Sequence, residues 1–508
     1  MKNLITNLKL TKKHIIIICL ALLYWLLTFL FEGNIFIVSN IKNRLLTYLV
    51  IKILYFFVLI LIFSFIYNLI LGFKNKNSTF YITIYAIPFI LLVLFLQLIF
   101  GQYPFLGDEN LIFEESIKYS NMEGFFTYYT TYFYMLSMQL LPFQWSIILF
   151  KIILSGLVIG YIIFRFKNLL KTNFVFITYF FTFSGFIIYF ILGKFRIDSS
   201  ISLLFSVHRM PMYAMLYLFC ACKLFCDYLE HVKLDRKSFI ILSVILSILT
   251  QWRVEGIYLA LLGIILIIIS YRIKLNKKLF LKMYAIFLAI QLILYIPQSL
   301  ETNLANNNYN NHRLTHFYNY VITNMMRNGL DESKNKAELE IIDKYVSIDK
   351  IKEINQTYGD EAYRDEYILF YGGIRENTTE DIMILYEKTM NKIIIKNLDI
   401  FIISQLESFN YITFGYDISN IIFSNLYITY FIILISFIFF FFNKNYTGML
   451  LVLCLICHSI ITTILLPAAY FKYYYMQYLI SILFITYLSC KIFNKLKVKF
   501  IKSKNNCL

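Results

Sequence analysis

Residues 238–271 read SFIILSVILSILTQWRVEGIYLALLGIILIIISY, 34 almost unbroken apolar residues interrupted by Gln251-Trp252-Arg253-Val254-Glu255. A helix needs about 20 apolar residues to cross a bilayer, so this stretch predicts two spanning helices that turn at the pentapeptide. Arg253 and Glu255 then stand at a membrane face. A neutral turn would have served topology, which leaves two readings: a phosphate-holding arginine, or an Arg–Glu pair that pins two helices.

The same texture continues in both directions. Apolar runs suited to spanning helices read as 14–31, 47–72, 79–101, 145–166, 172–193, 207–226, 238–251, 255–271, 280–297, 421–442, 446–467 and 474–491, about twelve in all. The first is too long for a signal-peptide core and lacks a small-residue cleavage site, so it is expected to stay in the membrane. With 59% hydrophobic and 15% charged residues over 508, a water-soluble enzyme is excluded. The 42 Tyr and 51 Phe beside 17 Gly and 6 Pro mean that an aromatic stripe carries little functional weight here.

A net charge of +17 raises the question of nucleic acid. The Lys and Arg residues sit mostly at the ends of apolar runs, where they orient the chain in the bilayer, so no nucleic-acid partner is expected. The N-terminus, Lys74/Lys76, Arg165/Lys167/Lys171, Lys233/Arg236/Lys237, Arg272/Lys274/Lys277/Lys278 and the tail from Lys491 to Lys504 alternate onto one side. That side is assigned to the cytoplasm, with both termini, of the inner (plasma) membrane. Lys42, Arg44 and Lys52 are the one basic cluster on the wrong side.

The expected fold is an all-α polytopic membrane protein of about twelve transmembrane helices, with an outward interfacial-helix loop and a small extracytoplasmic helical subdomain. Residues 1–78 form a membrane hairpin, and 79–297 a transmembrane core that contains the first outer loop, 102–144. Residues 298–420 hold the subdomain (298–396) and an interfacial helix over 389–414. Residues 421–508 close with transmembrane helices and a basic tail. In the first outer loop the aromatic stretch from Phe125 to Tyr134 predicts a helix lying flat in the interface. No inverted repeat is visible.

Ionisable groups at membrane depth cost about 2.5–3.5 kcal/mol each on insertion scales, so those that persist need a reason. Asp108-Glu109 follows the third run closely and puts a carboxylate pair at the outer surface, where one can act as base while the other positions or binds a cation; a solvated acidic loop is the alternative. Arg196 and Asp198 precede His208-Arg209-Met-Pro211, and an arginine at a helix N-terminus suits phosphate oxygens, or else snorkels to headgroups. Pro467-Ala-Ala-Tyr470-Phe-Lys472-Tyr473-Tyr474-Tyr475 offers a lysine to a phosphate with tyrosine hydroxyls around it, or an aromatic belt.

The cysteines Cys19, Cys220, Cys222, Cys226, Cys454, Cys457, Cys490 and Cys507 indicate packing rather than disulfides or a metal cluster. His312 and His316 are four apart but lack a clear third ligand, so no metal site is assigned. No cofactor is certain, and a divalent cation stays compatible with the acidic pair. All four charged sites fall on one predicted face, which suits a substrate half grease and half phosphate.

The apolar helix ending in the Asp108-Glu109 loop, the following interfacial helix, the many spans, the exterior loop and the closing Pro467–Tyr474 segment resemble the integral-membrane C-type (GT-C fold) glycosyltransferases, over roughly residues 79–490. Protein O-mannosyltransferases and lipid A aminoarabinose transferases are the similar members. The resemblance implies an enzyme that moves a sugar from a polyprenyl-phosphate donor to a glycan, lipid or protein acceptor of the cell envelope. It implies Asp108 as base or acceptor-orienting group with Glu109 beside it, and Arg196, His208, Arg209, Arg253, Glu255, Lys472, Tyr473 and Tyr474 around the donor phosphate. Lys472-Tyr473 stands where the family often has Arg-Tyr, two extra helices precede residue 79, and the exterior domain is smaller. A lipid-linked polysaccharide polymerase or ligase would instead rely on Arg313 and His312 or His316 in the long loop. A flippase for lipid-linked sugars would need charges deep within several helices.

Overall fold

The structure, a computed structural model, describes residues 12–100, 108–120, 128–179, 209–274, 276–304, 315–358, 373–375, 379–414, 426–465 and 474–506; the side chains of Asp108, Arg209 and His316 lie outside this description. The described elements are α1 (Lys12–Phe31), α2 (Leu45–Asn75), α3 (Ser78–Phe100), α4 (Asp108–Ile117), α5 (Tyr128–Leu140), α6 (Ser146–Leu170), α7 (Arg209–Leu229), α8 (Arg236–Trp252), α9 (Leu259–Ser270), α10 (Lys277–Leu304), α11 (Thr315–Arg327), α12 (Lys336–Ile342), α13 (Ile348–Tyr358), α14 (Glu380–Lys396), α15 (Leu398–Phe414), α16 (Leu426–Phe442), α17 (Tyr446–Leu465) and α18 (Tyr475–Asn506). Among the described residues there is no strand, only an antiparallel bridge between Val346 and Ile374.

Eight helical segments among the described residues are long and apolar enough to cross a membrane, and Glu255–Ser270 and Leu426–Phe442 are shorter apolar helices. The chain is a polytopic, all-helical membrane protein. Helix is the outcome because hydrocarbon offers no partner for backbone N–H and C=O groups, which a helix pairs within itself. The spans divide by burial: Pro211–Leu229 is 78% buried and Tyr475–Lys497 is 72% buried, whereas Lys12–Asn34 and Lys277–Ile296 are each 17% buried. The first two are therefore the centre of the bundle and the others its wall. Large apolar side chains on that wall, such as Leu30, Leu61 and Phe73, are exposed, as a lipid solvent allows.

Packing is tightest where α3 crosses α6. A Cβ on Gly160 would sit 2.3 Å from the Ile82 carbonyl and 2.9 Å from the Ala86 nitrogen, so the two backbones approach only because that position is bare. A second core, including Ile322, Met325, Ile342, Tyr386 and Ile393, is built by α11 to α15. Through α15 this layer rests on the end of α17, where Gln405 donates to the Ile464 carbonyl at 2.9 Å.

Three readings of the sequence change. Of the Phe125–Tyr134 stretch, residues 128–134 are described, and they do not face lipid as an interfacial helix would: α5 buries Tyr128, Thr130, Thr131, Tyr132 and Tyr134 against protein, with Tyr128 donating to Thr47 and Tyr129 to the Leu294 carbonyl. The helix expected over 389–414 is two helices, broken where Asn397 turns its amide onto Asn335 and the Ile393 carbonyl. The run ending at 297 continues in α10 to Leu304. Of the run 172–193, only residues up to 179 are described, with 174–179 helical.

Candidate functional site

The pentapeptide that decided the fold also builds a buried ion pair. α8 stops at Trp252 because Arg253 adopts extended backbone, φ −140° and ψ 142°, and a short 3-10 turn, Val254–Tyr258, follows. Gly256 is required in that turn, since a Cβ there would meet the Leu249 carbonyl at 2.3 Å. The reversal folds the guanidinium back onto Glu255: Nε donates to Oε2 at 3.1 Å and an Nη to Oε1 at 2.6 Å. This is the bidentate fork that only arginine makes. Arg253 is 10% and Glu255 1% exposed, so the two charges meet away from solvent. His458 on α17 acts electrostatically on Glu255, and its ring centroid lies 6.1 Å from Tyr213 and 6.0 Å from Tyr258.

The acidic pair opens α4. Glu109 is buried and accepts a hydrogen bond from the Tyr134 hydroxyl on α5. Its electrostatic partner is Lys151, 1% exposed near the start of α6. Lys151 was missed in the sequence, although a lysine inside the run Ser146–Leu170 is itself a signal.

Aromatic rings join the two sites. Phe133 lies 6.2 Å and Tyr129 6.5 Å from Trp252, so Glu109–Tyr134 and Arg253–Glu255 flank one wall between α5 and α8. Arg209 begins α7 four residues before Tyr213, which has Glu255 as an electrostatic neighbour. Tyr474 is fully buried and packs against Phe409 and Leu426. Arg196, His208, His312, Arg313, Lys472 and Tyr473 fall outside the described residues. Among the described residues no three His, Cys, Asp or Glu side chains are grouped to hold a metal ion.

Two further polar clusters emerge. Lys52, the basic residue on the wrong side, is 2% exposed and lies 3.3 Å from the Glu32 carboxylate, so it is a buried partner and no topology signal. Tyr119 also donates to Glu32 and sits in left-handed backbone, φ 54°, a conformation that costs a non-glycine residue about 1–2 kcal/mol. Burial, then the Glu32 charge, pushes the Tyr119 phenol well above its ordinary value. At the other end of the bundle Asp227 accepts from Arg165 at 2.8 Å, Lys223 at 2.9 Å and Tyr271.

Compared with protein-family models, curated proteins and solved structures, the chain matches none of them.

Proposed function

We propose that the chain is a membrane glycosyltransferase that moves a sugar from a polyprenyl-phosphate donor to a cell-envelope acceptor at the extracytoplasmic face. In this reading the chain has about twelve spans, with both termini cytoplasmic. The observation that carries it is the pair of buried ionic groups, Glu109 with Lys151 and Arg253 with Glu255, on the two sides of the Trp252 wall. Charges so buried in a membrane protein are functional by default, and these combine an acid with cations, as a phosphate leaving group requires.

The chemistry is an inverting transfer. Asp108 takes the proton of an acceptor hydroxyl while Glu109 holds α4 through Tyr134. The acceptor oxygen forms its bond to the anomeric carbon, the bond from that carbon to the phosphate oxygen breaks, and the electron pair leaves with the lipid phosphate. In this reading Arg209, Arg253 and Lys472 balance its charge.

Purified protein incubated with a panel of polyprenyl-phosphate sugars and an envelope extract should release lipid phosphate, and Asp108→Asn should abolish release while inserting normally. No release from any donor overturns the function; near-normal turnover by Asp108→Asn overturns the role of that carboxylate.

A further inference from the structure

We infer that the N-terminal hairpin α1–α2 is a clamp on α4, with Glu32 and Tyr119 as positioning residues for the acidic pair. The inference rests on the glycosyltransferase reading for what α4 does, but not for how it is held.

The argument starts from the Glu32 carboxylate. It accepts from the Tyr119 hydroxyl, from Gln139 Nε2 at 3.1 Å and from the Tyr48 hydroxyl at 3.2 Å, and it lies 3.3 Å from Lys52 Nζ as an ion pair. A carboxylate has about four acceptor sites, and three hydrogen bonds plus the Lys52 ammonium keep Glu32 engaged by protein groups. The neighbouring cavity of about 80 Å³, lined by Glu32 and Gln139 among apolar residues, therefore offers a ligand no acceptor from this acid. The donors come from α2, from α5 and from Tyr119, the second residue after α4. One acid thus ties the hairpin to both helices of the acidic loop.

Tyr119 shows that this tie imposes a conformation. It closes α4 at a position that glycine normally takes, with Ser120 N bonded to the Glu115 carbonyl at 3.0 Å. A tyrosine holds left-handed backbone only where its surroundings over-determine it. Here the surroundings are the hairpin: the Phe36 ring stacks on Tyr119 at 4.7 Å, Tyr48 meets it edge-on at 5.2 Å, and Ile37 N donates to the Ile117 carbonyl at 2.8 Å. The other end of α4 is held by Tyr134 on Glu109. With a helix of only ten residues leading to this anchor, any tilt at Tyr119 is passed to Asp108 and Glu109.

Hydrogen exchange and donor kinetics on the full chain in detergent test this. In Glu32→Gln and Tyr119→Phe, exchange of residues 108–120 should rise about tenfold or more while residues 209–229 stay at the wild-type rate. Turnover should fall about tenfold with the donor KM within about twofold, since misplacing a reacting group costs rate rather than affinity. Glu32→Gln leaves Lys52 buried without its counter-charge, so the neutral double variant Glu32→Gln/Lys52→Met serves if the single variant does not fold. Wild-type exchange at 108–120 in a folded variant overturns the clamp. Raised exchange with unchanged turnover overturns the positioning role. Should the wild-type chain release no lipid phosphate, the glycosyltransferase reading fails while the exchange result still judges the clamp.

Discussion

The rings of Phe133 and Trp252 lie 6.2 Å apart, so Tyr134 and Arg253, the next residue on each segment, belong to two ionic sites that share one aromatic contact.

The Arg253–Glu255 fork should be strongly asymmetric to mutation. Arg253→Ala strands a carboxylate that is 1% exposed and should lower unfolding stability by about 3–5 kcal/mol, whereas Arg253→Met/Glu255→Leu should recover most of it. Thermal unfolding in detergent checks this; equal losses in both variants would contradict it.

The α3–α6 crossing should tolerate no side chain at Gly160. Gly160→Ala drives a methyl into backbone atoms of Ile82 and Ala86 and should cost about 1–3 kcal/mol, read as a lowered Tm. Gly329→Ala has open space for its Cβ, but that residue sits at φ 87°, so any loss there is conformational rather than steric.

At the opposite end, Asp227 and Glu230 both pair with Arg165, yet their environments differ. Asp227 is 2% exposed and Glu230 31%. Asp227→Ala leaves Arg165 and Lys223 short of a counter-charge and should cost about 3–5 kcal/mol. Glu230→Ala should stay within about 1 kcal/mol. The two melting temperatures, measured side by side, decide whether burial or mere pairing sets the energy.

The α11–α15 layer should loosen in acid. A hydrogen bond from Ser333 holds the Asp331 carboxyl below the ordinary range, and one from Lys392 does so for Glu338. Carboxyls lowered by folding contribute stability above their unfolded pKa of about 4, and it is lost as pH falls through the folded values. The protection factors of amides 336–342, which divide out the intrinsic pH dependence of exchange, should therefore be flat from pH 7 to about 5 and fall below about 4. Glu338→Gln should weaken that dependence; an unchanged profile would assign the acid response elsewhere.

How much of this was legible in the chain differs between its levels. The runs at 238–251 and 255–271 and the turn between them were readable because a spanning helix pairs its own backbone, and its apolar length is local information. The fork of Arg253 on Glu255 was within reach for the same reason, being two residues long. The sinking of α5 into the protein was not, because Tyr and Thr hydroxyls serve an interface and an interior equally well until their acceptors are known.

Membrane insertion and helical class were thus determined by sequence alone, since both follow from local hydropathy acting against a solvent without hydrogen bonds. Tertiary structure decided the partners: Tyr119 with Glu32 across 87 residues, Gln139 with Lys52 across 87, Arg165 with Asp227 across 62. A buried charge must find a counter-charge to persist, but which one it finds depends on how the helix faces pack, and that is a property of the assembled bundle.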